Sequence, residues 1–65
     1  MRGDIKKITF VTEDGEWLID SSDEYIYSIR FLSRRNMYKV KTIDRDYYID
    51  SGIVKNIIVE YYEEY

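Results

Sequence analysis

Two Asp-Ser pairs, Asp20-Ser21 and Asp50-Ser51, come closest to reactive chemistry in this chain, because paired carboxylates can share a proton or a cation. Each pair also suits a plainer task, closing a turn by accepting a hydrogen bond from its own backbone. The chain has no histidine, no cysteine and no glycine-rich loop, so the plainer role is expected and no catalytic residue is assigned. Asp20, Asp23 and Glu24 could hold a hard cation, but their spacing is not the D-x-D-x-D-G of a calcium loop. A solvated, capping loop is expected there, with neither a metal site nor a cofactor.

Binding chemistry is better represented. Between Arg30 and Arg45 stand six basic residues, Arg30, Arg34, Arg35, Lys39, Lys41 and Arg45, against Asp44 alone, in a chain of net charge -3. On a hairpin, Arg30, Lys39 and Lys41 would point away from the core with Arg34 and Arg35 at the tip, forming a basic ribbon able to lie along phosphates. The plainer reading is a sheet edge kept from aggregating by its charges. The eight tyrosines exceed the needs of one small core. Tyr suits interfaces because its rigid ring loses little entropy on binding and its hydroxyl tolerates water. Tyr48, Ile58, Tyr62, Glu63, Glu64 and Tyr65 form the expected protein-contact set, a Tyr-rich and partly acidic surface that could imitate a nucleic acid.

These residues must be positioned by strands. In 65 residues there is room for one core, and cysteine-free packing must supply its stability. A hydrophobic fraction of 45% and a charged fraction of 35% fit a soluble globular domain with no membrane span. No secretory leader is evident, so a cytoplasmic location is expected. Ala is absent while Ile occurs ten times, in part because β-branched and aromatic residues favour strands. The same bias follows AT-rich codons and fits a low-GC bacterium or one of its phages.

Period-2 alternation and turn signals predict six strands: 5–12, 16–20, 25–33, 37–43, 46–50 and 53–62, with at most one helical turn near 21–25. In the third, Tyr25, Tyr27, Ile29 and Phe31 share one face and Ile26, Ser28, Arg30 and Leu32 the other. A repeat of period 30 underlies the pattern. Residues 7–21 align without gaps on 37–51, with identities at Thr12/Thr42, Asp14/Asp44, Ile19/Ile49, Asp20/Asp50 and Ser21/Ser51. The expected fold is therefore all-β, a six-stranded antiparallel barrel or sandwich with a pseudo-two-fold axis, one domain over 1–65 with half-repeats 7–36 and 37–65. Its core should bring Ile8, Phe10, Trp17, Ile19, Ile29 and Phe31 against Tyr38, Val40, Tyr47, Ile49, Val59 and Tyr61.

The functional expectation is a non-enzymatic binding protein, a phage or mobile-element inhibitor blocking a host protein through the tyrosine-rich surface. The alternatives are a nucleic-acid-binding barrel using Arg30, Arg34, Arg35, Lys39 and Lys41, or an oligomeric sponge for a small ligand or nucleotide. The long apolar last strand is free of proline, which adds a homodimer to the expected partners.

Overall fold

The computed structural model describes residues 2–63. Six strands follow one another: β1 (Arg2–Thr12), β2 (Gly15–Asp20), β3 (Ile26–Leu32), β4 (Met37–Thr42), β5 (Asp46–Asp50) and β6 (Val54–Glu63). A 3-10 turn over Ser51–Ile53 leads into the last of them, while the stretch after β2, where at most one helical turn was expected, is a plain turn. The strands form two three-stranded antiparallel sheets, β2-β1-β6 (sheet A) and β3-β4-β5 (sheet B), stacked as a sandwich that does not close into a barrel.

The repeat governs this topology in an unexpected way. The hairpins β1-β2 and β4-β5 share one register under the 30-residue shift, with Phe10 opposite Trp17 as Val40 is opposite Tyr47. The third strand of each half, however, joins the other half's hairpin: β3 pairs with β4, and β6 with β1. Neither half-repeat is thus a sheet of its own. The exchange lets each hairpin gain a third strand and brings the two apolar faces together. The third strands differ in register by two residues, since Phe10 faces Ile57 while Val40 faces Ile29. A two-residue shift preserves which face each side chain occupies.

Ile8, Phe10, Ile19, Ile26, Val40 and Ile49 are buried, and Ile29, Tyr38, Tyr47, Ile57 and Val59 pack around them. Two expected core residues are corrected: Trp17 is 40% exposed and Phe31 52% exposed. Both lie on edge strands, where one flank of an inward-facing ring has no neighbouring strand to cover it. Trp17 still meets Phe10 at 5.9 Å and Tyr47 edge-on at 6.0 Å between ring centroids. A second correction concerns the start of β3. A register irregularity between Ile26 and Ser28 swaps the faces there, so Ile26 is buried while Tyr25 and Tyr27 are exposed and stack edge-to-face on each other at 5.0 Å.

Candidate functional site: a basic groove on the outer face of sheet B

The polar pairs Thr12/Thr42, Asp20/Asp50 and Ser21/Ser51, identical across the repeat, make equivalent hydrogen bonds at strand ends and turns. The Ser22 N–H donates to the Asp20 carboxylate at 2.9 Å, and the Gly52 N–H donates to Asp50 at 3.0 Å. The Ser21 N–H donates to the Lys6 carbonyl at 2.9 Å, as Ser51 does to the Asn36 carbonyl at 3.0 Å. The Thr12 hydroxyl donates to the Gly15 carbonyl at 3.0 Å, and the Thr42 hydroxyl to that of Arg45 at 2.8 Å. These pairs are all 30 residues apart, so both Asp-Ser pairs are occupied in closing equivalent turns. The hydrogen bonds from Ser22 hold the Asp20 carboxyl below its ordinary range.

The third acid of the connector is equally engaged. Glu24 accepts a hydrogen bond from the Tyr47 hydroxyl and lies 3.1 Å from the Thr42 hydroxyl, whose one proton it shares with the Arg45 carbonyl, tying the β2–β3 connector to the β4-β5 hairpin. The bond to Glu24 pushes the Tyr47 phenol above its usual value, with desolvation adding to the effect. Among the described residues, no group of three His, Cys, Asp or Glu side chains could hold a metal ion.

The basic residues behave differently. Register sets Arg30, Lys39 and Tyr48 in one cross-strand row on the outer face of sheet B, and Lys41 lies two residues along β4 on the same face. The Ser33–Asn36 loop joins β3 to β4 and closes with Asn36 at φ 52°, a left-handed conformation that Asn tolerates. Arg34 and Arg35 stand in that loop. The result is an open groove of about 520 Å³ lined by Phe31, Leu32, Ser33, Arg34, Arg35, Lys39 and Tyr48. No acidic side chain lines it. Lys39 is fixed by Asp46 at 3.7 Å and lies 5.9 Å from the centre of the Tyr48 ring. Among the described residues, Arg34 and Arg35 enter no ion pair.

Of the expected phosphate contacts, Arg34, Arg35 and Lys39 therefore meet in one groove, while Arg30 and Lys41 flank it on the same face. The expected protein-contact set is divided between the sheets. Tyr48 belongs to the groove, whereas Ile58 and Tyr62 lie on β6 in sheet A, where the Tyr62 and Ser21 hydroxyls share a hydrogen bond of 2.7 Å. Glu63 ends β6 opposite Arg2, and Glu64 and Tyr65 lie outside the described residues. Sequence reasoning placed Phe31 in the core and missed it as a groove wall, since nothing local marks β3 as an edge strand. It also missed Leu18, exposed with Ile58 on either side of buried Thr9. The repeat carried a signal for Leu18, whose mate 30 residues on is Tyr48.

The row Leu18–Thr9–Ile58 in sheet A thus corresponds to Tyr48–Lys39–Arg30 in sheet B, giving one outer face an uncharged central row and the other a cationic and aromatic one. No family model, curated protein or solved structure matches this chain.

Proposed function

We propose that the protein is a non-enzymatic, cytoplasmic binding protein that captures an anionic partner in the groove on the outer face of sheet B. One observation carries this reading: Arg34, Arg35 and Lys39 converge on a groove without an acidic wall, and both arginines are left without an ion-pair partner among the described residues. Arginines without a carboxylate partner offer bidentate donors to a phosphate or carboxylate. An NMR titration with inorganic polyphosphate tests it. Amide shifts should gather at residues 31–35, 39 and 48 and disappear in an Arg34→Glu, Arg35→Glu variant. Shifts spread evenly over both sheets, or unaffected by the charge reversal, would refute it.

A second reading draws on sheet A. Leu18 and Ile58 are exposed on its outer face and β6 is an edge strand, so a protein partner or a second copy of the chain could pair with that edge. A host-protein inhibitor of phage origin, or a homodimer, would use this surface. Light scattering at micromolar concentration on wild type and on Ile58→Lys tests the dimer, and a monomeric wild type removes it.

A further inference from the structure

Resting on the groove reading, we infer that its anionic partner is a single-stranded nucleic acid, with phosphates on Arg34, Arg35 and Lys39 and a base stacked on Tyr48. A site for a bare polyanion needs only cations. This groove adds a ring surface, Tyr48, which is 42% exposed with Lys39 beside its ring. Every base has a π-face, so ring platforms beside a cationic track bind single strands with little regard to sequence.

The distribution of charge around the groove selects against a duplex. The cations come from the β3–β4 loop and from β4, whereas Asp46 and Asp50 stand two residues either side of Tyr48 on β5 and share its face. A single strand can keep its phosphates along the loop and β4, away from the two carboxylates, and turn its uncharged bases toward Tyr48. A duplex has anionic backbones on both sides, and one of them would lie against Asp46 and Asp50. Its bases, moreover, are already stacked and cannot reach a ring.

The groove's size limits contact to a short segment, so affinity should be modest and its salt dependence shallow. Three phosphate contacts on a single strand give a slope of log K against log salt of about -2, or roughly a twentyfold loss between 50 and 200 mM salt.

Fluorescence anisotropy with a labelled 12-nucleotide strand, as DNA and as RNA, tests the inference against three competitors: the matching duplex, inorganic polyphosphate and a poly-Glu peptide. The single strand should bind most tightly, with the slope above. Tyr48→Ala should weaken it about tenfold, in keeping with the loss of one stacked base, while Tyr48→Phe retains binding. An Arg34→Ala, Arg35→Ala variant should flatten the slope to about -0.7. Thermal melts of each variant confirm that it folds. Equal binding of strand, duplex and polyphosphate with no effect of Tyr48→Ala would overturn the inference and leave the groove as a general anion site. Preference for poly-Glu would overturn it in favour of an acidic protein. If no polyanion binds, the groove reading falls as well.

Discussion

Truncating two phenylalanines separates what the sequence treats alike. Phe10 and Phe31 both occupy inward-facing strand positions, yet Phe10 is fully buried and Phe31 is 52% exposed at the edge of sheet B. Phe10 lies 5.9 Å from Trp17 and 6.1 Å from Tyr38, ring centre to ring centre, so its removal opens a cavity in the middle of the core. Phe10→Ala should cost about 3–5 kcal/mol, from lost transfer energy plus the cavity. A chain of 65 residues has roughly 3–10 kcal/mol to lose, so this variant should be largely unfolded without a stabilising osmolyte. Phe31→Ala forfeits only the covered half of a ring and leaves a surface dent, a cost of about 1 kcal/mol. Urea titration measures both, with an unchanged m-value certifying that each midpoint shift is a stability change. Equal losses in the two variants would refute the edge placement of β3. Intact folding of Phe10→Ala would refute the core itself.

Other perturbations follow from the same geometry. Ile26→Asp should unfold the protein while Tyr27→Ser changes stability by less than about 1 kcal/mol, which circular-dichroism melts would show; the reverse order would mean that the face swap at the start of β3 is absent. Gly15 has φ +136° and open space where a Cβ would lie, so Gly15→Ala should destabilise by about 1 kcal/mol through backbone strain alone, measurable by urea titration. Ultraviolet titration of the phenols should show Tyr47 ionising above the ordinary phenol value of 10.0, because folding favours the protonated phenol bonded to Glu24. That stabilisation is fully present below the unfolded value and is lost as pH rises through the folded one, and Glu24→Ala should bring Tyr47 back toward ordinary behaviour. Asp20 acts oppositely: its lowered folded value gives stability above pH 3.8 that disappears as pH falls through the folded value, and Asp20→Asn should flatten acid unfolding in that window.

The sequence alone determined the all-β class, the six strands and the period of 30, because alternation of side chains and turn residues are local properties of the chain. It also pointed to Asp20 and Asp50 as turn closers, since each carboxylate accepts from the backbone N–H two residues on. The basic residues of the candidate site were visible as a charge cluster, and Arg34, Arg35 and Lys39 do converge. What no local pattern held was the partnering of strands. Only the tertiary structure decided that β3 and β6 exchange between the halves, and with that exchange which strands are edges. Edge position exposes Phe31 and Trp17, the irregularity after Ile26 reverses a face that alternation assigned the other way, and the β4-β5 hairpin sets Tyr48 beside Lys39 rather than beside Ile58. Pairing between distant strands is fixed by the fit of two whole apolar faces, and that fit exists only once both sheets are assembled.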